Sequence, residues 1–256
     1  MATTVQWSGR ITSGGTGWYE LLSYVTDARD EANVPSNTFF YGIFEPEPTF
    51  NEYCSFGCIL GLSNLGWSAS VDWTKASIGI GYTGDYSAET LVHEVGHAHG
   101  REHAPCGVSG TDPQFPYNGA ELGSWGYHIE TKQWFNPNDY VDFMSYCSPT
   151  WTSDYQYYNL FIRVQENAEL ARDATIMWQT VRVHGDGDAF FGKSVSGGVE
   201  PGGDMVDVEL YDASGNLLRT TQGHLFPFSH LSGGTVLIPP SAVDMDVDSV
   251  RVPALQ

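Results

Sequence analysis

The sequence predicts an α+β protein in two parts, a mixed helical and stranded region followed by an all-β region. Up to about residue 175, apolar stripes with helical spacing alternate with strand-like runs, whereas short alternating runs such as "MVDVELYD" and "GTVLIPP" follow, separated by turn residues. A length of 256 residues suits either one large domain or a domain of about 150 to 180 residues with a smaller companion, and the change of pattern favours the second. We therefore expect two domains, residues 1–175 and 176–256, the second a small β-sandwich.

The first elements are a helix and three strands. Apolar residues recur at three- and four-residue steps between Gly17 and Ala32, which is the stripe of an amphipathic helix, and Pro35 closes it. The segment "NTFFYGIFEP" then has the composition of a buried strand. After a loop with two cysteines, "CILGLSNLG" and the alternating "SIGIGYTG" give two further strands.

A second helix follows these strands. Ser87 is a suitable N-cap, and Gly100 is a natural stop because glycine tolerates the left-handed conformation that ends many helices. The helix should bury an apolar face. The residues predicted on that face are Leu91, Val92, Val95 and Ala98.

Residues 104–152 have no clear period and are rich in Gly, Pro and aromatic residues, which predicts a long irregular segment. Ser153 and Gln156 then form a capping-box pattern, and helical spacing continues to about Asp173. The residues that keep this spacing are Tyr157, Phe161, Val164, Ala168 and Ala171.

Charge and cysteine content limit the functional classes. With 31 acidic and 11 basic residues the net charge is −20, which disfavours nucleic acid as a partner because phosphate binding needs clustered Lys and Arg. No apolar run approaches the roughly 20 residues of a transmembrane helix. The four cysteines allow two disulfides in three connectivities. The small number of Lys and the abundance of Gly, Trp and Tyr favour a secreted or extracellular protein. Since "MATTVQWSGR" lacks the pattern of a signal peptide, we expect the export signal to lie outside this sequence.

The stretch "HEVGHAHGREH" contains four of the 8 histidines of the chain. A helix turns about 100° per residue, so His93 and His97 lie on one face and can reach one metal ion. His99 lies roughly 240° round the helix from His93 and points elsewhere. After Gly100 the chain can turn back and supply His103 as a third ligand.

Three neutral imidazoles leave one position of a tetrahedral Zn²⁺ open, which is the arrangement of a catalytic site. Glu94 lies beside the metal face. It can take a proton from a water molecule held at the zinc and pass it to a leaving amine, while the zinc polarises the carbonyl under attack. The pattern therefore predicts a zinc-dependent endopeptidase.

Together with "DFMSYC", the histidine stretch resembles the signature of the metzincin clan of zinc metalloendopeptidases. The resemblance spans the first helix to about Asp173, but its specific motifs are residues 93–103 and 143–146. It implies a metzincin-like catalytic domain with a mixed sheet, an active-site helix, a methionine-bearing turn and a C-terminal helix. It also implies that Met144 forms an apolar floor under the imidazoles, and that Tyr146 binds the metal or stabilises the oxyanion. "CILGLSNLG" would be the edge strand that aligns a protein or glycoprotein substrate.

One departure concerns the residues after the third histidine. Astacins and serralysins should carry an acidic or other characteristic residue there, whereas this chain has "HAPCG". In a metzincin the segments after His103 and Met144 converge, so the resemblance implies a Cys106–Cys147 disulfide and leaves Cys54 to pair with Cys58. The subfamily stays open, with secreted bacterial glycoprotein-cleaving metzincins as one candidate.

Weaker candidates have competing structural explanations. Trp151 follows the methionine turn, where metzincins build a substrate pocket, but core packing explains it equally well. Asp186 and Asp188 could hold calcium, although a hairpin turn has the same composition. Four scattered histidines receive no role, being interpreted as surface or satisfied polar residues. These are His128, His184, His224 and His230.

A second functional class is a binding module. In this alternative the metzincin-like body is a scaffold, and residues 176–256 attach to glycans or to a cell surface. Every catalytic position that the resemblance requires is present, so the sequence gives no sign of an inactive enzyme. The two functions are also compatible in one chain.

Overall fold

The computed structural model describes residues 3–169, 175–198 and 200–255. These residues form an α+β structure with a three-stranded sheet, a six-stranded sheet and two short two-stranded sheets. The helices are α1 (Trp18–Glu31), α2 (Phe50–Tyr53), α3 (Asp85–Ala98) and α4 (Asp154–Glu169). The strands up to the fourth helix are β1 (Phe40–Phe44), β2 (Gly61–Ser63), β3 (Ala76–Ile80), β4 (Gly126–His128), β5 (Gln133–Phe135), β6 (Val141–Asp142) and β7 (Thr150–Trp151). The later strands are β8 (Thr175–His184), β9 (Ala189–Gly198), β10 (Asp204–Tyr211), β11 (Leu217–Pro227), β12 (Gly233–Ile238) and β13 (Ser249–Arg251).

The three-stranded sheet has the order β1-β3-β2. Strand β3 is buried along its whole length and pairs in parallel with β1. Strand β2 pairs with β3 in the antiparallel sense, with Leu62 opposite Ile78. The segment "CILGLSNLG" therefore supplies an antiparallel edge strand, as the sequence predicts.

Helix α1 covers this sheet with the predicted apolar stripe. Its buried residues include Trp18, Leu21 and Leu22, which share a core cluster with Leu62 and Ile78 of the sheet. The indole of Trp18 also donates a hydrogen bond to the carbonyl of Thr12 at 3.0 Å. This layer fixes the sheet on which the site is built.

The carboxyl-terminal strands form one curled sheet of order β13-β10-β11-β12-β8-β9, in which every neighbouring pair is antiparallel. The sequence predicts a sandwich of two sheets, but the described residues of this region form a single sheet with an apolar core that draws on all its strands. Strands of 10 and 11 residues explain the difference, since twist accumulates along them and brings the edge strands β13 and β9 close together.

A second apolar cluster joins the two parts of the chain. Trp73 packs edge to face on Phe226 of β11, with ring centroids 5.2 Å apart, and both side chains are almost fully buried. Arg182 of β8 pairs with Asp27 of α1 at 3.2 Å. Burying two such rings contributes several kcal/mol to the free energy of unfolding, so this contact stabilises the packing of the curled sheet against the first part of the chain.

Helix α4 begins as predicted but presents its apolar stripe to solvent. The Ser153 hydroxyl accepts a hydrogen bond from the Gln156 amide at 3.0 Å, which is the expected cap. Tyr157, Phe161 and Val164 are 68%, 52% and 55% exposed. The predicted positions Ala171 and Asp173 lie outside the described residues. Within these, none of the helices has the length and apolarity needed to cross a membrane.

Candidate metal centre

Helix α3 carries the first two histidines, and it begins two residues before Ser87. Its N-cap is Gly84, and the Ser87 hydroxyl donates instead to the Tyr82 carbonyl at 2.6 Å, so the predicted cap is wrong. Leu91 and Val92 are 38% and 47% exposed, against the prediction of a buried apolar face. The buried face instead carries the polar residues of the centre together with Thr90, Gly96 and Ala98.

Three imidazoles converge at the end of this helix. The Nε2 atom of His97 lies 3.1 Å from that of His93 and 3.2 Å from that of His103. Nitrogens bound at about 2.0 Å to one tetrahedral ion would be roughly 3.3 Å apart, so the set fits zinc. His99 takes no part, because its ring stacks on Phe39 and its Nδ1 contacts the Val95 carbonyl.

Backbone carbonyls orient the first two rings. His93 Nδ1 lies 2.8 Å from the Phe143 carbonyl, and His97 Nδ1 lies 2.6 Å from the Arg101 carbonyl. Because each carbonyl accepts a hydrogen bond, the proton of each ring belongs on Nδ1 and the lone pair on Nε2. The Nε2 lone pairs of His93 and His97 are therefore free to bind a metal ion.

Gly100 ends helix α3 in the left-handed region with φ of 80°. Its amide donates to the His97 carbonyl at 2.8 Å, and the Arg101 amide donates to the Gly96 carbonyl at 3.0 Å. A Cβ at this position would lie 2.4 Å from the Gly66 carbonyl oxygen, so a side chain does not fit. The reversal brings His103 back to the first two histidines.

Burial keeps these imidazoles neutral. It lowers the pKa of His93 and lowers that of His97 well below its usual range, the latter with help from neighbouring histidines. Burial, together with His230 and His93, lowers the pKa of His103 to about 3. Neutral rings are the form that binds a metal ion.

These shifts predict that the metal-free protein is less stable in mild acid. The unfolded chain binds protons on its histidines near pH 6.5, whereas the folded rings stay neutral, so stability falls as pH decreases below about 6.5. The loss should be on the order of 1 kcal/mol per pH unit for each ring that stays neutral. Urea unfolding of chelated protein at pH 7.5, 6.5 and 5.5 measures it. A His97→Asn variant should show a shallower dependence, and an unchanged slope in that variant would contradict the assignment.

Glu94 lies beside the histidines with 2% of its surface exposed. Its backbone carbonyl accepts a hydrogen bond from the Ser77 hydroxyl of β3 at 3.1 Å, which fixes the helix against the sheet. A Cβ on Gly61 of β2 would lie 2.4 Å from the Glu94 side chain. A glycine at this point of the edge strand therefore leaves room for the carboxylate.

Met144 lies under helix α3 and is fully buried. A Cβ on Gly96 would lie 2.5 Å from its sulfur, so the helix and the methionine approach closely. Asp142 holds the turn by accepting hydrogen bonds from the amides of Met144 and Ser153, both at 2.8 Å. The Met144 carbonyl accepts from the Ala104 amide at 2.9 Å, which links the turn to the segment after His103.

Both cysteine pairs form disulfides, Cys54–Cys58 and Cys106–Cys147. The Cys106–Cys147 bond connects the segment that follows His103 to the segment that follows Met144 and Tyr146. The Tyr146 amide donates to the Cys106 carbonyl at 2.9 Å beside it.

Tyr146 faces the histidines, with its ring centroid 5.2 Å from that of His103. Burial and the charge of Glu94 raise the pKa of its phenol, so the hydroxyl keeps its proton at neutral pH. Trp151 stacks on Phe135 with centroids 4.1 Å apart. Its carbonyl accepts from the Phe143 amide at 2.9 Å, so it supports the carbonyl that holds His93. A pocket role for Trp151 remains a prediction.

His230 was assigned no role from the sequence, yet it joins the centre. Its ring centroid lies 5.2 Å from that of His93 and 5.1 Å from those of His97 and His103. It belongs to the connection between β11 and β12, and nothing in "PFSHLSGG" marks it as a site residue. The contact depends on how the curled sheet packs against the first part, which no local pattern discloses.

The other weak candidates stay outside the centre. The Asp188 amide donates to the Asp186 carboxylate at 3.1 Å, and the His184 amide donates to the Asp188 carbonyl at 2.8 Å, which is the hairpin-turn alternative. Within residues 3–169, 175–198 and 200–255, the groups that converge as possible metal ligands are His93, His97, His103 and His230, and the two aspartates belong to no such cluster.

The sequence is similar to a known peptidase family over part of its length. Residues 66–160 match the family model described as Peptidase M66, a span that contains helix α3, the three histidines of the motif and the methionine turn. No curated protein matches the chain, and no solved structure matches it either. The matched span supports a metallopeptidase.

Proposed function

We propose that this peptidase-like chain is a secreted zinc endopeptidase of the metzincin type. The observation that carries the proposal is the convergence of three buried imidazole nitrogens, 3.1 and 3.2 Å apart, beside the buried carboxylate of Glu94. The match of residues 66–160 to a peptidase family supports the reaction class.

His93, His97 and His103 would hold the metal through Nε2, since hydrogen bonds to Nδ1 orient the first two rings. Zinc bound there would polarise the scissile carbonyl and lower the pKa of a water ligand towards about 7. Met144 supports the three rings from below, and Gly100 makes the turn that supplies the third.

Glu94 would act as the general base and then as the general acid of the reaction. Its carboxylate takes a proton from the attacking water and then gives it to the leaving amine, so the side chain returns to its starting form. The Tyr146 hydroxyl, which remains protonated at neutral pH, would donate a hydrogen bond to the carbonyl oxygen as it gains negative charge. The edge of β2 that faces away from β3 would align an extended protein or glycoprotein segment by backbone hydrogen bonds.

Two disulfides support an extracellular location, since such bonds persist in oxidising compartments. The glycan or surface contact of residues 176–256 remains a prediction. The packing of Phe226 against Trp73 gives the curled sheet a structural role in any case.

The test is digestion of a proteome-derived peptide library by the full chain, with cleavage sites identified by mass spectrometry. Zinc-loaded protein should cut, chelated protein should not, and added zinc should restore cutting with the same sites. Chelated protein must first be shown folded by circular dichroism. Cutting that persists at full rate without metal would contradict the proposal.

A further inference from the structure

The connection between β11 and β12 lies along the edge of β2 that faces away from β3. Phe228 forms an antiparallel bridge with Asn64, and the Ser229 amide donates to the Ser63 carbonyl at 3.1 Å. The Ser63 amide in turn donates to the Ser229 hydroxyl at 3.0 Å. These are the backbone groups that an added peptide strand would use, and they cannot serve two strands at once.

The same segment places His230 over the three metal-binding rings. The centroid of its ring lies 5.1 to 5.2 Å from the centroids of the other three imidazoles. The ring therefore covers the side on which those three histidines leave the metal position open. Its Nε2 lies 2.8 Å from Glu94 Oε1, and its Nδ1 contacts the Tyr146 hydroxyl. Ser229 also donates to Glu94 Oε2 at 3.3 Å. The imidazole thus occupies the space between the two groups that would act on a scissile peptide.

The segment is held at both ends. Strand β11 ends at Pro227 and strand β12 begins at Gly233, and the Phe228 amide donates to the Gly233 carbonyl at 3.2 Å. Tyr19 of α1 packs on Phe228 with centroids 4.8 Å apart, and its hydroxyl donates to the Ser232 carbonyl. The chain therefore returns to the same sheet on both sides, and the tip can withdraw while β11 and β12 stay paired.

We propose that residues 227–232 are an intramolecular inhibitor that occupies the substrate cleft in the manner of a bound peptide strand, with His230 in the place of the scissile bond. This inference rests on the proposed peptidase function. The conformation with residues 227–232 on the edge of β2 is then the latent form, and substrate binds only when the segment leaves that edge.

The test compares the zinc-loaded full chain with His230→Ala and with His224→Ala as a matched control, because His224 lies in β11 and contacts Gly202 and Trp178. The probe is the tripeptide hydroxamate Ac-Ala-Ala-Ala-NHOH, whose affinity is measured by calorimetry. His230→Ala should bind it at least 10-fold more tightly than the wild type, and the control should match the wild type. Hydrogen exchange of the backbone amides of residues 228–232 in the wild type should accelerate when the probe binds.

A second variant keeps the proposal testable if His230→Ala misfolds. Asn64→Cys/Phe228→Cys links an antiparallel pair at a separation that a disulfide can bridge. The oxidised form should lose probe binding and mild reduction should restore it, with wild type under the same reductant as control. Equal hydroxamate affinity in wild type and His230→Ala would overturn the proposal.

Peptide cleavage separates this proposal from the one it rests on. Faster cleavage by His230→Ala supports latency, whereas slower cleavage with wild-type zinc content would make His230 a catalytic residue and overturn it. If no zinc-loaded form cuts any peptide, the peptidase proposal fails, and the hydroxamate affinities still decide whether the segment blocks the metal centre.

Discussion

Glu94→Gln is expected to reduce kcat/KM for peptide cleavage by about 10³-fold, within the usual range for loss of a general acid and base. Glutamine has nearly the same shape but cannot take a proton from the attacking water. The metal ligands are untouched, so zinc content should stay at that of the wild type. The loss should be the same in a His230→Ala background, because the chemical step and not access to the cleft is affected.

The matched control is Glu89→Gln, which changes an exposed carboxylate five residues before Glu94 on helix α3. It removes the same charge from the same helix but lies outside the centre, so kcat/KM should change less than twofold. Initial rates on a quenched fluorescent peptide identified from the library, with metal analysis of each preparation, measure the effect. Retention of more than a tenth of the activity by Glu94→Gln would refute a proton-transfer role.

Cys106→Ser/Cys147→Ser is expected to lower the free energy of unfolding by about 4 kcal/mol. The cysteines are 41 residues apart, and the chain-entropy estimate for a closed loop of that length gives this magnitude. The bond also fastens the segment after His103 to the methionine turn, so zinc affinity should fall at least 10-fold.

Cys54→Ser/Cys58→Ser provides the comparison, since a separation of 4 residues gives an estimate of about 2 kcal/mol. This pair lies in the loop before β2 and packs against the core cluster of α1 and the three-stranded sheet, so its removal should leave zinc affinity unchanged. Guanidinium unfolding and competition with a coloured zinc chelator measure the two quantities. Equal effects of the two double variants on zinc affinity would show that the longer bridge does not support the centre.

Parts of the centre that follow from local geometry were predictable. The spacing of His93 and His97 is fixed by the helix. The return of His103 depends on Gly100, whose φ is 80° and which lies midway between His97 and His103 in the sequence. These features are set by residues close together in the sequence.

Other features depend on packing between distant segments and gave no local signal. Ser229 contacts Glu94 across 135 residues of chain, so the approach of His230 could not be found by spacing. The exposure of Leu91 and Val92 has a different cause. The inner face of helix α3 is occupied by polar groups of the centre, and an apolar periodicity cannot distinguish that face from its opposite.

The contact between Trp73 and Phe226 makes each part of the chain depend on the other to keep a large apolar ring out of water. A module that could be exchanged between proteins would present a polar surface to its neighbour, whereas here each part covers a large apolar ring of the other. Transplanting residues 176–256 to another protein, or losing them in a gene rearrangement, would uncover Trp73 and promote aggregation. We therefore expect chimeras that keep both parts together to stay soluble and those that separate them to aggregate.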